Sequence, residues 1–238
     1  MRSRTRQQHV EFHRTGTGLM LRDMILGGQD GLVNVLGIIL GVAVATTDVR
    51  IVIIAGLVAT FAESVSMAAV AYTSTKAEHD FYRREYEREI EEIEQIPEAE
   101  RREIHDIYYQ KGFRGKMLDG IVKKITSNKK IWADTMMSEE LHLHNNEQET
   151  PLRSAAVVGF AAFVGSLIPL MAFFFIASPV DAMITSFVIS IVALFVAGYA
   201  KGRLTVGSPG RSGIEMVLIA LTAAFAGYVI GWLLSGMV

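Results

Sequence analysis

Acidic side chains at helical spacing are the residues of this chain best suited to chemistry. Three carboxylate pairs stand out, the last beside two methionines: Glu89 and Glu92, Glu100 and Glu103, and Glu139 and Glu140 after Met136 and Met137. Residues three apart on a helix share a face, and like charges there destabilise it by about 0.2–0.5 kcal/mol per pair. A bound cation would relieve this repulsion. If the helices on either side of Pro97 are antiparallel, the first two pairs could face one shared site.

A solvated face with salt bridges is the alternative interpretation of the same acids. Arg88 lies three residues after Glu85 and four before Glu92, where it could neutralise both. Met136 and Met137 favour a metal site, because thioether sulfur prefers transition metals to calcium or magnesium. With Glu140 close behind, they predict a mixed oxygen and sulfur site. His142 and His144 could add imidazole, but they are better interpreted as exposed residues at a helix end.

A second group of polar residues, Asp30, Glu63 and Met67, lies inside long apolar segments. A charge at the centre of a bilayer costs at least about 2.5–3.5 kcal/mol, so such an acid is a functional candidate. At 1.5 Å of helix rise per residue, Asp30 lies about 9 Å into its span, Met67 about 10 Å and Glu63 about 16 Å. The short turn between the two spans makes them antiparallel neighbours. We therefore predict that Asp30 and Met67 lie level, with Glu63 one turn deeper, and form a crossing site for a metal ion.

The elements that position these residues follow from the segregation of charge. The 238-residue chain is 50% hydrophobic, with mean hydropathy +0.31, yet 20% of its residues are charged. A membrane span needs roughly 20 apolar residues, and five windows qualify: 24–45, 51–74, 154–177, 180–200 and 213–235. The second window continues without Pro or Gly after Gly56 into the acidic stretch, so one helix is predicted from Ile51 to Gln95.

The remaining charge defines a small domain, residues 76–150, which we call the helical insert. The insert begins with the end of the predicted helix Ile51–Gln95. Three further helices are predicted: Glu98–Lys111, a segment from Lys116 to about Ser127, and Lys129 to about His144. The predicted organisation is therefore an N-terminal segment (1–23), spans one and two (24–75), the helical insert (76–150) and spans three to five (151–238). This is an all-α membrane protein. Without cysteine it has neither disulfides nor thiolate metal sites, and the net charge of -2 gives no reason to expect nucleic acid.

Lysine and arginine predict the orientation. They are concentrated in the N-terminal segment, the helical insert and the loop between spans four and five, and nearly absent from the opposite loops. The positive-inside rule puts the N-terminus and the helical insert in the cytoplasm and the C-terminus on the other side. Two small-residue pairs, Gly37 with Gly41 and Gly227 with Gly231, have the spacing that permits close helix packing, within the scaffold or in a dimer.

The chain resembles the vacuolar iron transporter family from about Arg22 onward. The resemblance rests on motifs in a fixed order: Arg22-Asp23, Asp30-Gly31-Leu32, Ser66-Met67, Lys76-Ala77-Glu78, Glu89-Ile90-Glu91-Glu92-Ile93, Trp132, Met136-Met137, Ile168-Pro169-Leu170 and Gly198-Tyr199-Ala200-Lys201-Gly202. It implies a homodimer that exports ferrous iron, often manganese too, in exchange for protons, with no prosthetic group. The implied metal ligands are Glu89, Glu92, Glu100, Glu103, Met136, Met137 and Glu140, and the implied translocation residues are Asp30 and Met67.

One position departs from the family pattern. Plant members carry a glutamate two helical turns before the methionine of span two, where this chain has Ala59; it carries Glu63 one turn before Met67 instead. The crossing site is therefore expected at a different depth or with different proton loading. A membrane-anchored ferroxidase is the contrasting function, since paired glutamates resemble a di-iron site. Di-iron bundles use a Glu-x-x-His motif from each of two helices, and this chain has a single such pair, Glu139 and His142, which argues against the ferroxidase.

Overall fold

The computed structural model describes residues 15–144, 150–205 and 207–235, with side chains from residue 18. Within those ranges it contains eight helices and no strand. Their bounds in chain order are α1 Thr15–Ala45, α2 Val49–Gln95, α3 Pro97–Gln110, α4 Gly115–Thr126, α5 Lys129–Glu139, α6 Pro151–Phe175, α7 Pro179–Leu204 and α8 Pro209–Ser235. Most of the predicted N-terminal segment, residues 1–14, lies outside the described ranges. So do residues 145–149 before Pro151, residue 206 and the last three residues.

Five helices are long and apolar enough to cross a membrane: α1, α2, α6, α7 and α8. They cover the five predicted windows except residues 176 and 177, so the prediction of an all-α protein with five spans is confirmed. Two boundaries differ from the prediction. α1 begins at Thr15, within the segment predicted to precede the spans, and α6 ends at Phe175, two residues before the predicted end of span three. The uninterrupted α2 confirms the predicted single helix from Ile51 to Gln95, which has no Pro or Gly after Gly56.

The contacts divide the chain into two compact units, one made of Met1–Tyr72 with Pro151–Val238 and the other of Thr73–Thr150. The first unit holds the spanning helices around apolar clusters such as Val35, Ile39, Val52, Leu170 and Phe173. The backbones of α1 and α8 come close because glycines face glycines. A Cβ on Gly41 would lie 2.9 Å from the carbonyl oxygen of Gly227. The predicted small-residue packing therefore occurs within one chain.

The helical insert, which falls in the second unit, has its own small core. The end of α2 and helices α3, α4 and α5 all contribute to it: Ile93, Ile104, Leu118, Val122, Ile125, Trp132, Ala133 and Met136. Pro97 occupies the first turn of α3, where its missing N–H costs nothing. Asn128 caps α5 by accepting a hydrogen bond from the Ile131 N–H at 3.1 Å.

The prediction that the last insert helix reaches His144 is wrong. α5 ends at Glu139, and the backbone N–H groups of Glu140 and Leu141 both donate to the carbonyl of Met136. His142 then takes a left-handed conformation with φ 54°, which a helix cannot contain. Four residues beyond the helix end, the Leu143 N–H donates to the carbonyl of Met137 at 2.8 Å.

Candidate functional site

The acids of the helical insert adjoin its hydrophobic core because of their helical spacing. Glu89 lies four residues before Ile93, and Glu100 lies four residues before Ile104. Both isoleucines are core residues, so each glutamate continues the buried face of its helix by one turn. Met136 and Glu140 repeat the spacing at the end of α5. The edge of the core is therefore lined with carboxylates.

Three of these carboxylates meet at one point. Ligand oxygens of Glu89, Glu92 and Glu100 lie within 4.8 Å of one another. Glu89 is 4% exposed and Glu100 3% exposed. In each of them the Oε2 atom is buried and makes no hydrogen bond with the described residues. Buried polar atoms normally have a partner, and an unpartnered one costs about 1–3 kcal/mol. The two orphaned oxygens fit a cation.

The raised pKa values of Glu89 and Glu100 also indicate a site suited to a cation. Burial, followed by the negative charges of Glu100 and Glu140, raises the pKa of Glu89 from 4.5 to about 7. Burial and the charge of Glu103 raise the pKa of Glu100 to about 7 as well. Near neutral pH these two groups are therefore partly protonated, and protons compete with a cation for their oxygens.

The third predicted acidic pair separates in the structure. Glu139 forms an ion pair with Lys111, whereas Glu140 forms a hydrogen bond with Glu103. Burial and the charge of Glu103 raise the pKa of Glu140. A hydrogen bond between two carboxyl groups requires one shared proton. Glu103 and Glu140 thus join the electrostatic environment of the cluster, while Glu139 belongs to a salt bridge.

The two methionines are both buried, at 0% and 1% exposure. Met136 packs in the hydrophobic core of the insert, and Met137, one residue on, lies outside that cluster. Adjacent residues on a helix point about 100° apart, so the two thioethers face different surroundings. Their role as ligands stays a prediction. His142 and His144 are exposed beyond the end of α5, in agreement with the interpretation of them as helix-end residues.

Arg88 is the cation nearest to the cluster for which the structure gives distances. Its Nε donates to Oε1 of Glu92 at 3.0 Å, and a terminal nitrogen lies 3.6 Å from Glu85. The positive charge of Arg88 opposes the rise in the pKa of Glu100 and of Glu140. The acidic face therefore combines the two features that the sequence offered as alternatives. Its exposed edge forms salt bridges, and beside this edge lies a buried carboxylate cluster.

Within the unit of spanning helices, α1 and α2 bring Asp30, Asn34 and Glu63 together. The side-chain amide of Asn34 donates to Oε1 of Glu63 at 3.1 Å, and Glu63 is also in hydrogen-bond contact with Asp30. Because Asn34 lies one turn beyond Asp30 on α1, its contact places Glu63 at the level of that turn. Met67 lies one turn along α2 and is half-buried.

Asn34 has a contact that the sequence interpretation did not assign to it. It lies four residues after Asp30 and therefore on the same face of α1, and this spacing was the available signal. Two carboxyl groups, an amide and a thioether one turn away are ligand types that suit a divalent transition metal and can exchange it for protons.

Five apolar helices, with paired acids placed between two of them, define a polytopic integral membrane protein. The family model described as "VIT family" matches residues 21–232. Among curated proteins, vacuolar iron transporter 1 of Tulipa gesneriana is 37% identical over 93% of this chain and 90% of its own length. Vacuolar iron transporter 1 of Arabidopsis thaliana is 36% identical over 92% and 88%, and the vacuolar iron transporter of Toxoplasma gondii is 31% identical over 95% and 78%. The chain belongs to the VIT family.

Proposed function

We propose that this protein is a secondary transporter that moves ferrous iron, and also manganese, out of the cytoplasm in exchange for protons. Its relatives are named as vacuolar iron transporters. The observation that carries the proposal is the contact between α1 and α2, two helices long and apolar enough to span, where the Asn34 amide, one turn from Asp30, donates to Glu63 at 3.1 Å. Acids are expensive within a bilayer and are typical of ion pathways and proton relays.

The crossing site uses Asp30, Glu63 and Met67. Two carboxylates neutralise a divalent ion and replace part of its water shell, and the thioether favours a transition metal over calcium or magnesium. Metal binding needs both carboxylates deprotonated, so protons arriving from the far side displace the ion. Exchange of one cation for protons follows from this competition.

The helical insert gathers the metal from the cytoplasm. Glu89, Glu92 and Glu100 supply the first oxygens, and the unpartnered buried atoms of Glu89 and Glu100 support this role. Glu103, Glu140, Met136 and Met137 complete the proposed ligand set. The charge distribution of the sequence supports a cytoplasmic N-terminus and insert, with the C-terminus on the other side. A homodimer completes the proposed assembly.

Proton-driven uptake into proteoliposomes tests the function. Vesicles with an acidic interior should accumulate Fe²⁺ under anaerobic conditions, and Mn²⁺, with measurable loss of internal protons. Glu63→Gln should abolish both fluxes because it removes the carboxylate that Asn34 and Asp30 contact. Glu215→Gln is the control: it replaces an exposed glutamate of α8, another of the five helices. Normal proton-coupled transport by Glu63→Gln would refute the site, and oxygen-dependent oxidation of Fe²⁺ without transport would favour a ferroxidase.

A further inference from the structure

Arg88 forms an ion pair with a carboxylate, that of Glu92, which the proposed metal site also needs. Its guanidinium Nε binds Oε1 of Glu92 at 3.0 Å, while an oxygen of Glu92 lies within 4.8 Å of ligand oxygens of Glu89 and Glu100. The arginine side chain is 65% exposed and Glu92 33% exposed. The guanidinium therefore reaches the cluster from its open edge, whereas Glu89 and Glu100 are buried.

A second carboxylate holds the guanidinium at that edge. A terminal nitrogen of Arg88 lies 3.6 Å from Glu85, three residues back on the same helix face, and Glu85 also pairs with Arg84 at 3.4 Å. When Glu92 turns to a metal ion, Arg88 keeps an acidic partner in Glu85. Exchange of partners on one helix face needs only side-chain rotations.

We propose that Arg88 is a built-in competitor for the metal: it occupies Glu92 in the metal-free insert and lowers the affinity of the site for divalent ions. This inference rests on the proposed function, since it concerns the same site. A transporter must release the ion it captures, and a fixed positive charge beside the carboxylates limits how tightly the ion is held. Unlike a proton, the arginine charge remains at every physiological pH.

The expected effect of removing the charge is a gain in affinity. The guanidinium charge repels a bound cation, and a divalent ion doubles that repulsion. Arg88→Gln should therefore tighten Mn²⁺ binding about tenfold. Arg88→Lys keeps the charge and should stay near the unmodified protein. The gain should shrink at high salt because the arginine is exposed.

Arg83 provides a matched control on the same helix. It makes the same kind of contact, from its Nε to Glu87 four residues on at 2.9 Å, and both side chains are exposed. Neither residue belongs to the cluster. Arg83→Gln removes an ion pair of equal spacing, so it reports any effect of helix stability alone.

The test is Mn²⁺ titration of the full chain in detergent, by calorimetry, for the unmodified protein and the three variants. Tighter binding by Arg88→Gln alone supports competition. Equal affinities for Arg88→Gln and Arg83→Gln would overturn it and leave Arg88 as a surface ion pair. Weaker binding by Arg88→Gln would also overturn it, because Arg88 would then hold Glu92 in its ligand position. Absence of Mn²⁺ binding in all four chains, including the unmodified one, would instead refute the proposed metal site and the inference with it.

Discussion

At the residue scale, burial of Glu89 and Glu100 links the charge of the cluster to physiological pH. Both carboxyl groups have a pKa of about 7 in the metal-free protein because they border the core and face other acids. A cation needs them ionised, so protons compete with it over the range in which cytoplasmic pH varies. The insert is therefore expected to load metal at neutral pH and to lose it on mild acidification.

The pH dependence of Mn²⁺ binding measures this competition. Lowering the pH from 8 to 6 across a pKa of about 7 should weaken binding about tenfold for each carboxyl that must ionise, or about 100-fold for Glu89 and Glu100 together. Glu89→Gln should reduce the dependence to about tenfold, because one titrating group is gone. Titration calorimetry of the full chain at several pH values measures how Mn²⁺ affinity changes with pH in the unmodified protein and in Glu89→Gln. A flat profile between pH 6 and 8 would contradict the proton competition.

The same pKa values predict how pH affects the metal-free insert. The pKa of Glu89 and of Glu100 is about 7 in the folded chain and near the ordinary 4.5 when unfolded, so the folded state binds more protons between these values. Stability therefore falls as the pH rises from about 4.5 to about 7 and levels off above that. Amide hydrogen exchange of α3 and the end of α2, corrected for intrinsic rates, should show greater protection at pH 6 than at pH 8.

A double variant identifies the groups responsible. Glu89→Gln with Glu100→Gln keeps the side-chain size but removes two buried charges that repel each other. The stability of this variant should depend little on pH, and its amides in α3 and the end of α2 should remain protected from hydrogen exchange at pH 8. Unchanged pH dependence in this variant would assign the effect to other groups, among them Glu140, whose pKa is also raised.

Spacing alone predicted which acids share a face, but it could not predict what fills the space between them. Glu89, Glu92 and Glu100 come together because α2 and α3 pack through Ile93 and Ile104, as their positions along each helix require. The separation of Glu139 from Glu140 depends on where α5 ends, and on Lys111 from another helix. The contact of Asn34 with Glu63 likewise needs the rotation of α1 against α2, which no local pattern encodes.

At the scale of elements, the packing of α1 against α8 depends on glycine. A Cβ at Gly41 would lie 2.9 Å from the backbone oxygen of Gly227, so the two helices would have to separate. Gly41→Ala should therefore destabilise the membrane unit by about 1–3 kcal/mol despite the better helix propensity of alanine. Gly210→Ala is the control, because nothing lies within 4 Å of a Cβ there. Thermal unfolding in detergent should show a lower midpoint for Gly41→Ala only, and equal midpoints would contradict the packing argument.

Helix positions were largely predictable because apolar length and helix breakers are local properties. The five windows, the uninterrupted α2 and the turn at Pro97 follow from composition, and all are present. The end of α5 was not predictable in this way. The sequence after Glu139 contains no Gly or Pro until Pro151, and the stop comes from backbone capping onto Met136 and the left-handed His142.

At the scale of the whole molecule, two acidic sites lie in two compact units of one chain. The carboxylates of the helical insert have a hydrophobic core beside them, whereas Asp30 and Glu63 belong to helices long enough to span a bilayer. These surroundings favour different tasks: the first site can equilibrate with metal in water, and the second can carry an ion where water is excluded. If the tasks are separate, variants in each unit should affect different transport parameters.

Glu89→Ala with Glu92→Ala should raise the Mn²⁺ concentration for half-maximal uptake about tenfold or more, because two of the proposed carboxylate ligands are lost. The maximal rate should be retained, since both residues lie in the unit Thr73–Thr150 and only load the ion. Glu63→Gln should show the reverse: no proton-coupled uptake at any concentration, but unchanged Mn²⁺ binding by the helical insert. Glu87→Ala with Glu91→Ala, exposed acids of the same stretch of α2 outside the cluster, should behave as the unmodified protein. Complete loss of transport at saturating Mn²⁺ by the first variant, with the chain still folded, would instead make the helical insert part of the gate.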